Sequence, residues 1–129
     1  MKGLDTLSTD ELVARYAEAA RVHGEATVTG SHPANNEADL IAAAYRELRR
    51  RGSESALLVL ESKDEGVTAW AGAHALEFAP EQGEPVLAKL TESPGPLGFG
   101  AQITLREWRA GRLTFPSGRV TGVGQRPLI

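Results

Sequence analysis

Apolar residues recur at intervals of three and four positions along most of the chain, which is the spacing of one face of an α-helix. The first such stripe consists of Leu12, Val13, Tyr16, Ala20 and Val22. Ser8 and Glu11 have the spacing of a capping box, in which each side chain bonds the backbone amide of the other residue. The pattern predicts a first helix that starts after Ser8 and runs to about Val22, with Gly24 beyond its end.

Five further stripes follow, separated by glycine, proline and serine. They occupy residues 40–48, 57–60, 67–78, 86–90 and 99–108. Pro33 suits the first turn of the second helix, Asp64 suits the N-cap of the fourth, and the fifth should start near Pro85. Gly52 and Gly111 should end the second and the sixth helix. No segment alternates apolar and polar residues for long enough to predict a strand.

Six helices joined by short breaks suggest three antiparallel pairs, because the even-numbered helices resemble one another. Ile41, Trp70 and Phe99 are spaced 29 residues apart in both steps. The same spacing relates two further sets: Ala44, Ala73 and Gln102, and Tyr45, His74 and Ile103. Such self-similarity is typical of helical solenoids. We therefore predict an all-α fold, an α-α superhelix of about three helix pairs over residues 1–116. Residues 117–129 carry no helical stripe and are predicted to be a flexible tail.

The composition narrows the class of protein. The 129 residues fit one domain, and a net charge of −3 gives no general attraction to nucleic acid or to an anionic membrane. The sequence has no cysteine, which excludes disulfides, thiolate nucleophiles and cysteine-ligated metals. No secretory signal is visible, and the longest apolar run, residues 56–60, is too short to span a bilayer. We expect a cytoplasmic protein without a membrane partner.

No group of residues has the spacing of a catalytic or cofactor motif. His23 and His32, with Glu25 and Glu37 nearby, match no metal-site spacing, and solvated loop histidines explain them better. The serines lie at caps and breaks, and no phosphate loop is present. We predict no catalytic, cofactor-binding or metal-binding residues, and therefore a protein that is not an enzyme. For His74 two interpretations stay open: contact with a partner, or a half-buried side chain bonded to a neighbour.

Arginines form two positively charged clusters, near the ends of the second and the sixth predicted helix. They are Arg46, Arg49, Arg50 and Arg51, and Arg106, Arg109 and Arg112. On one side of a solenoid these groups could form a phosphate-binding strip, so nucleic-acid binding is the alternative function. Cations near helix C-termini are also stabilised by the helix dipole, an explanation that needs no ligand.

Three segments carry a resemblance to a known family. They are residues 34–39, 64–77 and 97–111, and the likeness extends over about residues 9–115. They are similar to a small bacterial family of HEAT-like helical repeats filed as a domain of unknown function. The resemblance implies an α-α superhelix of HEAT-like helix pairs and no particular activity. Thr68 stands where the HEAT pattern has arginine, so an ion-pair ladder between repeats is in doubt. Some small HEAT-like proteins resemble immunity proteins that block bacterial toxins.

Binding is the function that these observations leave. In a superhelix, the second helix of each pair lines a concave face. The residues expected to contact a partner on that face are Asn36, Tyr45, Glu47, His74, Glu77 and Trp108. Trp70 is expected in the core. We therefore hypothesise a protein-binding module, most concretely an immunity protein that covers the active surface of a toxin, as a monomer or a weak homo-oligomer.

Overall fold

The computed structural model describes residues 3–29, 35–60, 64–114 and 120–121. Within these ranges the chain forms two 3₁₀-helices (η) and five α-helices: η1 (Leu4–Thr6), α1 (Thr9–Thr29), α2 (Asn35–Arg51), η2 (Glu54–Leu60), α3 (Glu65–Phe78), α4 (Pro80–Leu90) and α5 (Pro96–Arg109). Two residues of β1 (Leu113–Thr114) pair antiparallel with two of β2 (Val120–Thr121). The predicted all-α class is confirmed. None of the helices in the described ranges has both the length and the apolar character needed to cross a bilayer.

Most of the predicted helix ends are present. The Glu11 amide donates to Ser8 Oγ at 3.1 Å, and the Ser8 amide donates to Glu11 Oε1 at 2.8 Å, which completes the capping box. Asp64 caps α3 by accepting from the Val67 amide at 3.0 Å. Gly52 and Gly111 have φ of 73° and 75° at the ends of α2 and α5, a backbone conformation that glycine adopts without strain.

Two predicted boundaries are wrong. α1 does not end near Val22 but continues through Gly24 to Thr29, and Gly24 is buried within it. A Cβ atom on Gly24 would lie 2.7 Å from the Gly66 Cα, so this glycine permits a close contact between helices and does not end one. The fifth predicted helix, α4, starts at Pro80 and not near Pro85. Proline is favoured in the first turn because no helical partner exists there for an amide.

Two further predictions fall outside the described residues. Pro33 lies in the range 30–34, and α2 is described from Asn35 onward. The predicted tail, residues 117–129, is described only at Val120–Thr121, whose pairing with Leu113–Thr114 places these two residues next to the segment that follows α5.

Helix α3 lies at the centre of the packing, in contact with α1, η2, α4 and α5. A first core joins α1, α2, η2 and α3 through Leu12, Tyr16, Ala19, Ala20, Ile41, Ala44, Tyr45, Leu48, Leu57, Val67 and Ala71. A second core joins α3, α4 and α5 through Leu76, Leu87, Leu90, Ala101, Leu105 and Trp108. Both cores include residues of α3, so this helix fixes the position of α1 and α2 relative to α4 and α5.

The stacking of helix pairs into a superhelix stays a prediction. In a linear stack, the first and the last pair are separated by the middle pair, whereas here α1 contacts α5. The three positions related by the 29-residue spacing also differ in environment. Ile41 is fully buried, Trp70 is half-buried and Phe99 is 62% exposed.

Candidate functional site

The six residues predicted to line a concave face do not form an accessible surface. His74 is only 2% exposed, Tyr45 is fully buried, and Trp108 belongs to the second core. The Glu77 side chain is 0% exposed. Burial of these side chains corrects the prediction that they are available to a partner, since a partner cannot reach them without opening the core.

The remaining two residues lie on α2, and they do not join the others in a common site. The Glu47 side chain is largely covered, because it accepts from Arg50 and Arg51. Hydrogen bonds from these two guanidinium groups lower the pKa of the Glu47 carboxyl to about 2. Asn36 is exposed in the first turn of α2.

Three of the predicted residues meet inside the first core, where they form a buried polar chain. The Tyr16 hydroxyl hydrogen-bonds to His74 Nδ1 at 2.5 Å. The His74 ring stacks on Tyr45, with ring centroids 3.9 Å apart and an interplanar angle of 3°. The Tyr45 hydroxyl then donates to the Glu77 carboxylate. Because these residues come from α1, α2 and α3, the buried polar chain of side chains fixes the three helices relative to one another.

Burial determines the protonation states of His74, Tyr16 and Tyr45 in the buried polar chain. It lowers the pKa of His74 to about 3, so the imidazole is neutral at physiological pH. Burial also raises the pKa of Tyr16, and for Tyr45 burial and the hydrogen bond to Glu77 both raise the pKa. The two hydroxyls therefore stay protonated as well. The sequence left the role of His74 open, and the structure places it as a buried side chain bonded to a neighbour.

Acidic partners pair with most of the arginines that suggested nucleic-acid binding. Arg49 lies 3.6 Å from Glu54, Arg109 lies 2.8 Å from Glu84, and Arg112 lies 2.9 Å from Glu107. Arg50 and Arg51 both pair with Glu47. The described arginine groups are therefore interleaved with carboxylates, which weakens their attraction for phosphate.

Arg51 has a second, structural role. Its Nη2 donates to three backbone carbonyls, those of Leu4, Asp5 and Leu7, at 3.3, 3.3 and 2.6 Å. These carbonyls belong to η1 and the residue that follows it. The guanidinium group thus holds the N-terminal segment against the end of α2.

A groove of about 330 Å³ lies where α1, α3 and α5 meet, and sequence reasoning missed it. Its lining consists of His23, Gly24 and Thr27 from α1, Gly66, Ala69, Trp70 and Ala73 from α3, Leu87 from α4, and Pro96, Leu97, Gly100, Ala101 and Thr104 from α5. The lining is mostly apolar. The only sequence signal for it was the concentration of glycine and alanine on α3 and α5, which is equally typical of close helix packing.

Two aromatic side chains form the α1 and α3 sides of the groove. The rings of His23 and Trp70 meet edge to face, with centroids 5.3 Å apart. Trp70 was expected in the core, and it is half-buried with one side on the groove. His23 was expected in a solvated loop, and it lies instead within α1 because the helix extends beyond Val22.

Glycines determine how closely the three helices approach at this groove. A Cβ on Gly66 would lie 2.7 Å from the carbonyl oxygen of Ala20 and 3.0 Å from the Gly24 Cα. With the Tyr16–His74 bond further along, this contact shows that α1 and α3 run antiparallel. The Leu97 side chain of α5 lies 3.8 Å from the position of a Cβ on Gly24. Gly100 differs from these residues, because a Cβ there would meet nothing within 4 Å in the part of the chain that the structure describes.

Exposed apolar and acidic side chains lie next to the lining residues in sequence. Phe99 precedes Gly100 and is 62% exposed, and Val28 follows Thr27 and is 57% exposed. At the end of the groove formed by Gly66 and Leu97, Glu65 Oε2 accepts from Ser93 Oγ at 2.7 Å. This bond ties the start of α3 to the turn that precedes α5.

Metal binding and similarity to known proteins were the remaining sources of a functional assignment. In the described ranges, no three His, Asp or Glu side chains converge in a way that could hold a metal ion. No protein-family model, no curated protein and no solved structure matches the chain. The resemblance to HEAT-like repeats therefore stays a prediction. The groove between α1, α3 and α5 is the structural feature that bears on function.

Proposed function

We propose that this protein is a non-catalytic protein-binding module whose binding site is the groove between α1, α3 and α5. The observation that carries the proposal is an apolar groove of about 330 Å³ between α1, α3 and α5. Proteins rarely leave contiguous apolar surface exposed unless it contacts a partner or a ligand.

The packing around the groove supports a site that is formed before a partner arrives. Gly24 and Gly66 are in backbone contact, and Leu97 packs against the same point. The polar chain through Tyr16 and His74 joins α1 to α3 a few turns away. Rigid walls lower the conformational entropy that binding costs, so a modest groove can still bind specifically.

The more detailed predictions from the sequence belong to this proposal. They are a HEAT-like superhelical architecture, a cytoplasmic location and a role as an immunity protein. A toxin bound at the groove would have its active surface covered by α1 and α5, and inhibition would follow from steric occlusion. No observation favours the nucleic-acid alternative to the same degree, since the described arginines pair with carboxylates.

Site-specific photo-crosslinking in the host cell tests the proposal. A photoreactive phenylalanine analogue at position 96, an exposed position that lines the groove on α5, should crosslink a discrete protein, and the same analogue at Gln82, an exposed position on α4, should not. Purified partner should then bind the wild type, and binding should fall at least tenfold for Thr104→Asp, which puts a charge into the groove, but not for Gln82→Asp. Equal crosslinking at the two positions, or none at position 96, would contradict the proposal.

The immunity role has its own test, which starts from the captured partner. If that partner arrests growth when it is expressed alone, the wild-type chain should restore growth and Thr104→Asp should not. A captured partner without toxicity would overturn the immunity role and leave the binding function standing.

A further inference from the structure

We infer that the partner enters the groove as an amphipathic α-helix that crosses α5 at Gly100 and carries a lysine or arginine beside its apolar stripe. This inference rests on the proposed function and names the chemistry of the partner. Three observations carry it: the open space at Gly100, the all-helical walls of the groove, and the carboxylates at one of its ends.

Gly100 differs from the other glycines of the described helices. A Cβ on Gly24, Gly66, Gly72, Gly83 or Gly98 would come within 3.1 Å of another part of the chain, so packing explains each of them. A Cβ on Gly100 would meet no atom of the described residues within 4 Å. Glycine inside a helix costs about 1 kcal/mol relative to alanine, and nothing within the described chain requires that cost here. Glycine does permit a close approach to the backbone from outside.

The shape and the chemistry of the walls favour a helix as the element that makes this approach. Pro96, Gly100 and Thr104 recur every four residues and line the groove along one side of α5. Small residues at such spacing let two helix axes come as close as about 8 Å. An extended segment would need partners for its own amides and carbonyls. Helical walls use their backbone groups internally, whereas a partner helix satisfies its own backbone and presents only side chains.

The charges at the Gly66–Leu97 end select a basic partner. Glu65 and Glu92 are exposed there, on either side of the turn that Ser93 bonds to α3. Glu25 is exposed on α1, one residue from Gly24. The cation next to this end, Arg21, is already held by Glu18 and Glu25 at 2.8 and 3.3 Å. A lysine or arginine on the partner helix would therefore find Glu65 and Glu92, two exposed carboxylates without an ion pair to any described residue, which raises the association rate and fixes the orientation.

A displayed library of random 18-residue peptides, selected against the wild-type protein, tests the inference. The counter-selection uses Gly100→Leu, which fills the groove, and a second blocked variant, Thr104→Phe, provides the same information independently of how Gly100→Leu folds. Both are checked by circular dichroism. We expect enriched peptides with apolar residues at helical spacing, a flanking lysine or arginine, and at least tenfold weaker binding to the blocked variants.

Charge neutralisation provides the second arm of the test. The double variant Glu65→Gln, Glu92→Gln should weaken the selected peptides about threefold to tenfold, the range expected of two exposed charge pairs, and should reduce the salt dependence of binding. The control is Glu81→Gln, an exposed carboxylate on α4, which should change neither. Groove-dependent peptides that are extended, acidic or insensitive to the double variant overturn the inference but leave the proposed function intact. Failure to enrich any peptide that distinguishes the wild type from both blocked variants counts against the proposed function itself.

Discussion

The same substitution, glycine to alanine, should have opposite effects on stability at two helix positions beside the groove. At Gly66 a Cβ would lie 2.7 Å from the Ala20 carbonyl oxygen, 3.0 Å from the Gly24 Cα and 3.1 Å from the Asp64 carboxylate that caps α3. Two of these atoms are backbone and cannot turn aside. At Gly100 the added methyl meets nothing within 4 Å among residues 3–29, 35–60, 64–114 and 120–121.

The size of each effect follows from ordinary packing and propensity terms. Overpacking of a close contact costs about 1–3 kcal/mol, and disturbance of an N-cap adds about 1 kcal/mol. Gly66 is the second residue of α3, so little helix propensity is gained there to offset these costs. We expect Gly66→Ala to lower the free energy of unfolding by about 2–4 kcal/mol. Gly100→Ala should raise it by about 1 kcal/mol, because alanine is the better helix former.

Equilibrium unfolding in urea, followed by circular dichroism at the helix band, measures both changes. For a domain of this size 1 kcal/mol moves the midpoint by about 0.3–1 M, so the two variants should separate clearly on either side of the wild type. An unchanged or raised midpoint for Gly66→Ala would refute the backbone contact between α1 and α3. A lowered midpoint for Gly100→Ala would refute the open space at Gly100, on which the choice of a helical partner depends.

Three further predictions concern the buried chain and the N-terminal anchor. Tyr16→Phe should lower the free energy of unfolding by about 1–3 kcal/mol in urea titration at pH 7, because it leaves His74 Nδ1 buried without its partner; an unchanged midpoint would contradict this. Because the folded-state pKa of His74 is lowered to about 3, only the unfolded chain gains this proton as the pH falls below about 6.5, and stability should decline by up to about 1.4 kcal/mol per pH unit towards pH 4.5. His74→Asn, which does not titrate in this range, should flatten that slope, and equal slopes in the two proteins would exclude a buried neutral His74. Arg51→Ala should cost about 1–3 kcal/mol and speed amide exchange in residues 4–7, while its neighbour Arg50, on the exposed side of the same helix, should tolerate alanine within about 0.5 kcal/mol.

The parts of the fold that the sequence predicted correctly are those decided by neighbours in the chain. The Ser8–Glu11 capping box spans three residues, and the Asp64 cap also acts on an amide three residues away. Gly52 and Gly111 end helices through their own backbone conformation. Each of these features needs only local chemistry, which a sequence contains in full.

The predictions that were wrong depend on residues that are far apart in the sequence. Glycine is used both to end helices and to let them touch, and only the position of Gly66, 42 residues further on, shows that Gly24 belongs to the second class. The prediction that Tyr45 and His74 contact a partner was wrong for the same reason. Tyr45 and His74 carry polar atoms that suit a surface, and their bonds to Glu77 and Tyr16 join residues 32 and 58 positions apart. The groove requires three helices to be placed before it exists, so no single segment could predict it.

The central position of α3 has a consequence for synthesis of the protein on the ribosome. The apolar faces of α1 and α2 are closed partly by Val67 and Ala71, which belong to α3. At synthesis rates of about 5–20 residues per second, Phe78 follows Thr29 by roughly 2–10 seconds. During that interval the completed first helix has no third helix to cover it. The nascent chain should therefore be a substrate for chaperones that hold exposed apolar segments until α3 has left the exit tunnel.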